Sequence, residues 1–287
     1  LSAAIIGEAL RGAEARLRAS GTESPRREAA LLLCMALDRP RSHVIAWPER
    51  RLEPAQLMHF RSLVERRCAG EPIAYITGER AFWTFQVRVT PDTLIPRPET
   101  ELVVERALSH IPPRAKLRIA DLGTGSGALA AAVAMERPRC RIVATDVSRR
   151  ALAVARDNLV RLGLARVETR PGEWCAALPA AEAFDLILSN PPYVPEGDPH
   201  LSRGDAAREP RTALAAGPDG LDAIRRIAAC APAHMAAGGW LLLEHGFDQG
   251  EAVRRILRAQ GLERIRTHRD LAGLERVTEG RLSPEAS

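Results

Sequence analysis

The sequence predicts an α/β protein, an open and largely parallel sheet with helices on both faces, preceded by a small helical bundle. Two observations carry this. From about residue 100 to 260, apolar strand-type runs alternate with helical stretches. Two of those runs also end in residues that bear chemistry. Leu117-Arg118-Ile119-Ala120-Asp121-Leu122 opens directly into Gly123-Thr124-Gly125-Ser126-Gly127, and Phe184-Asp185-Leu186-Ile187-Leu188-Ser189 opens into Asn190-Pro191-Pro192-Tyr193. In sheets of this kind ligands sit beyond the carboxyl ends of the strands, which is where both loops fall.

In chain order, residues 1–72 read as helices. Ile6, Leu10, Ala13 and Leu17 recur at helical spacing, Ala29 to Leu37 forms a second apolar segment before the Arg39-Pro40-Arg41 break, and Leu57, Phe60, Leu63 and Val64 mark another helix. This domain carries no evident chemistry. It is assigned to gripping a macromolecular partner, because a small-molecule substrate would not need it. Short β-type runs with Phe82, Trp83 and Phe85 predict a β-hairpin linker over residues 73–93. The main domain spans residues 94–287. It is entered through a stiff segment with Pro91, Pro96 and Pro98, and a helix begins near Pro98 or Thr100, with Glu99 and Glu101 suited to its positive end.

Within the main domain, Ala128 to Met135 is helical and Arg141 to Thr145 is a strand ending at Asp146. Ser148 is the expected N-cap of a helix that runs to about Leu162 and stops at Gly163. Arg276 to Leu282 reads as a final strand.

Strand, glycine loop and helix in succession describe a nucleotide-type half-site, since glycines permit the turn and let the backbone approach a ligand closely. Asp146 lies about twenty residues beyond the loop, where a carboxylate can accept both ribose hydroxyls of an adenosine. The spacing Gly123-x-Gly125-x-x-Ala128 also satisfies a dinucleotide fingerprint. Asp121 tips the balance away from a nicotinamide: an acid there is poorly placed beside a pyrophosphate but suits the cationic amino-acid end of S-adenosylmethionine.

Asn190-Pro191-Pro192-Tyr193 adds the acceptor side. Each proline fixes φ and removes a donor, so the loop cannot continue the sheet and its carbonyls stay free. The Asn190 side-chain oxygen and a proline carbonyl can each take one N–H of a planar NH2 on an sp2 carbon, turning the nitrogen lone pair toward an electrophile. Read blandly, the same four residues are a proline-rich exit from a strand with Tyr193 packed as core.

Composition bounds the rest. A content of 46% hydrophobic and 27% charged residues is ordinary for a globular chain. No apolar run approaches the roughly 20 residues that span a bilayer, and the start at Leu1 has no leader pattern. The net charge of +5 is modest, almost all arginine and scattered, so no direct nucleic-acid substrate is expected. Cys34, Cys68, Cys140, Cys175 and Cys230 are dispersed without a C-x-x-C, which predicts reduced thiols in a cytoplasm. The histidines show no metal-ligand spacing, so no metal is expected.

Longer motifs identify a resemblance that covers nearly the whole chain. Gly70-Glu71-Pro72-Ile73-Ala74-Tyr75-Ile76-Thr77-Gly78 with Phe82, and then Leu94-Ile95-Pro96-Arg97-Pro98-Glu99-Thr100-Glu101, resemble the linker signature of the release factor glutamine methyltransferases, the HemK/PrmC family. Asp121 to Gly127 and Asn190 to Tyr193 are similar to its methyl-donor and acceptor motifs, and Glu209-Pro210, Gly217-Pro218-Asp219-Gly220-Leu221, Glu244-His245-Gly246 and Asp270-Leu271-Ala272-Gly273 to later segments. The resemblance implies a Rossmann-like class I methyltransferase sheet. It also implies methylation of the glutamine side-chain amide in the Gly-Gly-Gln loop of bacterial class I peptide chain release factors, with S-adenosyl-L-methionine as donor and S-adenosyl-L-homocysteine as product. Asn190 and Tyr193 would be catalytic, and Asn190 to Tyr193 would hold the acceptor. Asp121, Gly123, Thr124, Gly125, Ser126, Gly127, Asp146 and Asn190 would hold the donor, and Trp174 corresponds to an adenine-stacking position. The segment from Arg97 to Thr100 would lie near the donor without an assigned role. Asn-Pro-Pro-Tyr is shared with enzymes that methylate adenine N6 in DNA or RNA, so that alternative stays open.

Overall fold

The computed structural model describes residues 4–180 and 182–285; the start at Leu1, read above for a leader, lies outside them. The chain divides into two compact units, Leu1–Gly78 and Glu79–Ser287.

The first unit is helical: α1 (Ile6–Ala19), α2 (Pro25–Leu37), α3 (Arg41–Ala46), α4 (Pro54–Cys68) and α5 (Ile73–Thr77). Ile6, Leu17, Leu32, Leu33, Phe60 and Leu63 form its core. Pro54 opens α4 at a position where its missing N–H costs nothing, and Gln56 Oε1 accepts from Glu53 N at 3.1 Å. A mostly buried pair, Arg67 to Glu28 at 2.7 Å, ties α4 to α2. The division falls after Gly78 because Ile73–Thr77 is helical, although its β-branched and aromatic residues read as strand. The Pro72 carbonyl accepts from Tyr75 N and Ile76 N, and burial of Ala74, Tyr75 and Ile76 outweighs their strand propensity.

The second unit opens on a hairpin, β1 (Glu79–Phe82) and β2 (Phe85–Arg88), turned at Trp83 with φ 54°. Pro98–Thr100 forms a 3-10 turn into α6 (Glu101–His110), and Glu101 spends its carboxylate on the hairpin, accepting from Trp83 N at 2.8 Å. There follow β3 (Arg118–Leu122), α7 (Ala128–Glu136), β4 (Arg141–Asp146), α8 (Arg149–Arg161), β5 (Glu168–Pro171), β6 (Phe184–Ser189), α9 (Asp222–Cys230), β7 (Met235–Glu244), α10 (Gly250–Ala259), β8 (Glu263–Arg269) and β9 (Glu275–Arg281). Ser148 caps α8 as expected, accepting from Ala151 N.

The seven-stranded sheet has the order β5-β4-β3-β6-β7-β9-β8. The β5 to β7 strands are parallel, and β9 is antiparallel to both neighbours. The alternation expected from sequence ends near residue 260 and leaves out β8, whose Glu-Arg-Ile-Arg-Thr-His-Arg composition hides a strand lying at the sheet edge. Ile119, Ala120 and Leu122 are fully buried, as expected of a central parallel strand covered on both faces. Ile224 and Ile227 of α9 and Val253 and Leu257 of α10 join Ala120, Leu122, Ile187, Leu241 and Leu243 in one core. No helix among the described residues is long and apolar enough to cross a membrane.

One expectation is corrected. Cys175 and Cys230 are joined in a disulfide, with Cα atoms 6.0 Å apart, while Cys34, Cys68 and Cys140 are free. Spacing along the chain says nothing about proximity in a crossover fold: the turn after β5 and the end of α9 meet although 55 residues separate the two cysteines.

Asn158 of α8, 2% exposed, links three parts of this unit. Its Oδ1 accepts from Arg88 N at 2.7 Å, and its Nδ2 donates to Arg88 O at 2.9 Å and Ser126 O at 2.8 Å. The hairpin and the glycine loop are thus held by one amide. Asn158→Ala is expected to cost roughly 2–3 kcal/mol by orphaning these backbone groups, measured as a lowered urea midpoint. An unchanged midpoint would remove the bridge from the account.

Candidate active site

The parallel strands end level with one another. Leu122 pairs with both Thr145 and Ser189, and Asp146 with Pro171. The ends are tied across the ladder: the Ser189 hydroxyl donates to Leu122 O at 2.7 Å, and the Thr145 carbonyl accepts from Gly123 N and Thr124 N at 2.9 and 2.8 Å. Strand order reverses between β3 and β6, so the loops after them diverge and leave a crevice. A cavity of about 830 Å3 occupies it, within the range of small-molecule sites.

Of the residues selected from sequence, Gly123, Gly125, Asp146, Trp174, Asn190 and Pro192 line this cavity. Asp121, Thr124, Ser126, Gly127, Pro191 and Tyr193 are not among its lining residues. Gly125 has φ +57° and a Cβ there would meet nothing of the protein, which leaves its peptide open to a ligand. Gly127, at φ +81°, has a different reason: a Cβ would lie 3.2 Å from Ala155 of α8. One glycine serves the cavity and the other serves packing.

Asp146 ends β4 with both carboxylate oxygens engaged. Oδ2 accepts from Gly125 N at 2.9 Å and Oδ1 from Ser148 N at 2.8 Å. Each oxygen keeps a lone pair for a further donor. Burial pushes its pKa up, against those two bonds. Trp174 follows Gly172 with φ 45°, its ring against Gly123, and the disulfide begins at the next residue. Glu173 and Arg226 pair at the cavity mouth.

Asp121, 1% exposed, directs one oxygen inward: Oδ2 accepts from Thr124 Oγ1 at 2.6 Å and Ala130 N at 3.2 Å. Burial pushes its pKa up to about 7, opposed by those bonds and reinforced by the Asp146 charge. The acid therefore braces the glycine loop from beneath.

Asn190 Nδ2 donates to Thr100 Oγ1 at 2.9 Å, which leaves its oxygen end available. The loop after it is clamped. Gln249 Nε2 donates to Tyr193 O at 3.0 Å and Asp219 O at 3.1 Å, and Val194 N donates to Leu214 O at 2.9 Å. The Tyr193 phenol donates to Glu244 Oε1 at 3.1 Å, and its pKa is pushed far up by burial and the adjoining acid. Glu244, the last residue of β7, is fully buried; burial pushes its pKa up to about 7, with Thr100 and Tyr193 hydrogen bonds opposing. Glu209 is the contrasting acid. It accepts from Arg97 Nη2 at 2.5 Å and from Ile95 N at 3.1 Å, pinning the proline-rich entry segment.

The sequence reading gave no role to Thr100, Glu209, Glu244 or Gln249. All four lie in or beside the longer motifs, yet only the fold brings Thr100, Glu244 and Gln249 against Asn190 and Tyr193, and Glu209 against Arg97 and Ile95. Among the described residues no group of acids, histidines and cysteines could hold a metal ion.

Two family descriptions match the chain, the PrmC N-terminal domain over residues 8–78 and the methyltransferase small domain over residues 102–204. A release factor glutamine methyltransferase of Vibrio cholerae is 47% identical over 283 residues, 98% of each chain. One from Xylella fastidiosa is 50% identical over 266 residues, covering 92% of this chain and 96% of its own. Among solved structures, a methyltransferase from Pyrococcus furiosus superposes with a TM-score of 0.53 at 17% identity, over 76% of this chain and 97% of that one, a likeness of fold alone.

The buried acid beneath the glycine loop makes stability depend on pH. An acid whose pKa rises on folding holds its proton more tightly when folded. Its contribution is complete below about 4 and is lost as pH rises through about 7. Asp121→Asn keeps an oxygen for Thr124 and Ala130 but cannot ionise. It is expected to melt above the parent at pH 8, ligand-free, and level with it at pH 4. Equal melting at pH 8 would mean that Asp121 carries no buried charge.

Proposed function

The chain belongs to the release factor glutamine methyltransferase family, and on that premise we propose that it methylates the side-chain amide nitrogen of a glutamine in bacterial class I peptide chain release factors, drawing the methyl group from S-adenosyl-L-methionine. The observation that carries this reading is the juxtaposition of Asp146, Trp174 and Asn190 around one cavity at level strand ends.

The donor fits the residues present. The Gly125 peptide borders open space, Asp146 has spare lone pairs, and the Trp174 ring forms a flat wall. S-adenosylmethionine supplies, when bound, a sulfonium methyl carbon open to attack by a nitrogen lone pair. In this reading the Asp146 carboxylate accepts from ribose hydroxyls, the Trp174 ring stacks on the adenine, and the Gly123 to Gly127 backbone lies along the amino-acid portion with Asp121 bracing it.

A glutamine amide nitrogen is a poor nucleophile, because its lone pair is delocalised into the carbonyl. The Asn190 oxygen and the Pro191 carbonyl each accept one of its N–H bonds, fixing the NH2 geometry and aiming it at the donor. Most of the acceleration then comes from orientation. Tyr193, held by Glu244 and Gln249, closes the end of the loop and keeps Pro191 and Pro192 in place. No histidine, cysteine or lysine lines the cavity among the described residues, and the spare proton leaves to water after transfer. The helical domain, residues 1–72, is assigned to gripping the release factor, with residues 73–93 as linker and 94–287 as the transferase. A translation factor as substrate places the work in the cytoplasm.

Isotopically labelled S-adenosylmethionine with release factor, DNA and RNA offered separately tests the reading. Label is expected on the glutamine of a Gly-Gly-Gln loop, located by mass spectrometry; label on adenine would favour the N6-adenine alternative and overturn this one. Asn190→Ala is expected to lower kcat by about 100-fold or more, with the Kd for S-adenosylhomocysteine nearly unchanged. Asp146→Ala should instead weaken that Kd by roughly 10-fold to 100-fold. An unaltered Kd would count against the ribose assignment.

A further inference from the structure

We propose that the Cys175–Cys230 disulfide is a reversible redox site, open to exchange with small thiols and disulfides, whose state sets how tightly the donor is held. The proposal rests on the function just given, which puts the chain to work in a cytoplasm. Thiol pools keep that compartment reducing, and a disulfide formed there is usually transient and redox-sensing rather than a permanent staple.

Its place in the fold gives it something to control. Cys175 directly follows Trp174, which lines the cavity and is read as stacking on the adenine. Trp174 holds φ 45°, a left-handed conformation that a bulky residue keeps only where its surroundings enforce it. The enforcement comes from both sides. Two residues before it, Gly172 N donates to Asp146 O at 3.0 Å. One residue after it, Cys175 is bonded to the last residue of α9. On that helix Ala223, Arg226 and Cys230 are spaced by three and four residues and so share a face. Ala223 and Arg226 line the cavity, and Cys230 ties their face to the Trp174 turn. The disulfide therefore joins two walls of one site. The ion pair between them, Arg226 to Glu173, is exposed and contributes little by itself.

The bond is open to attack at one sulfur. Cys175 is 2% exposed, whereas Cys230 is only partly buried. A thiolate of a small dithiol attacks Cys230 Sγ, the S–S bond breaks, and Cys175 Sγ leaves as a thiolate that takes up a proton. The second thiol of the reductant then displaces Cys230, which is protonated in turn. Two electrons and two protons pass to the protein, which ends with two thiols, and the dithiol ends as its own disulfide. A small-molecule disulfide, accepting the same electrons and protons, reverses the exchange. In the reduced form the buried Cys175 stays packed in the apolar core with Ile227, but Trp174 loses its covalent anchor. The donor must then order that wall as it binds, and its affinity falls.

The test uses the full chain equilibrated with glutathione disulfide or with dithiothreitol, followed by the Kd for S-adenosylhomocysteine in each form. Peptide mapping should find Cys175 joined to Cys230 in the first and both as free thiols in the second. Reduction should weaken that Kd by about threefold to tenfold, with kcat at saturating donor within about twofold. Cys230→Ser should bind like the reduced parent under both conditions. Free thiols in the oxidised sample, a Kd indifferent to a verified change of state, or a redox response that survives Cys230→Ser would each overturn the proposal. Should Cys230→Ser fail to fold, the two forms of the parent still decide. A parent that binds no donor in either form would overturn the donor reading as well, whereas normal binding and labelling of release factor in both forms would overturn this inference alone.

Discussion

Everything at the site depends on three neighbouring strands stopping at the same height. Leu122, Thr145 and Ser189 are register partners, and Gly123, Asp146 and Asn190, which follow them, all line the cavity. A slip of one residue would turn every side chain of a strand to the opposite face, so register and function cannot vary independently. The hydrogen bonds from Ser189 to Leu122 and from the glycine loop to Thr145 lock that height beyond the ordinary ladder. Asp146 then joins the glycine loop to the start of α8 with one carboxylate. The crevice is a property of the sheet before it is a property of any loop.

This explains which parts were legible in the amino-acid sequence. The glycine loop, Asp146 and Asn190 each announce themselves locally, as a residue type following an apolar run, and the fold class follows from alternation. Trp174 carried no such pattern and entered only by resemblance. Interactions between segments distant in the chain were invisible. Glu209 finds Arg97 and Ile95 across more than a hundred residues, and Glu244 finds Tyr193 from the far end of β7. The same applies to Cys175 and Cys230. β8 was missed for another reason: a strand at the edge of a sheet need not be apolar, so its composition gave no period to read.

The buried acids divide by how their charge is met. Glu209 has a guanidinium and a backbone N–H, one on each oxygen, and holds two loops together. Among the described residues Asp121 and Glu244 have no cation in hydrogen-bonding contact, and hydroxyls take the place of one. Burial pushes the pKa of both up to about 7, against those hydroxyl bonds. Such groups cost stability that an apolar residue would not, and both lie directly behind loops that border the cavity. Those costs lie beside the cavity, while the apolar core around Leu122, Ile187 and Leu241 bears the fold.

The margins of the sheet carry one more consequence. Its outermost strands are β5 and β8. The first presents Glu168, Arg170 and Pro171; the second is broken by a register shift at Arg264, φ 50°, and exposes Arg264, Arg266 and Arg269. Charge, proline and bulge are the devices that stop an open edge from recruiting a strand of another molecule. Both borders therefore disfavour the addition of a strand from another molecule. The exposed arginines of β8 thus have a part in closing that border.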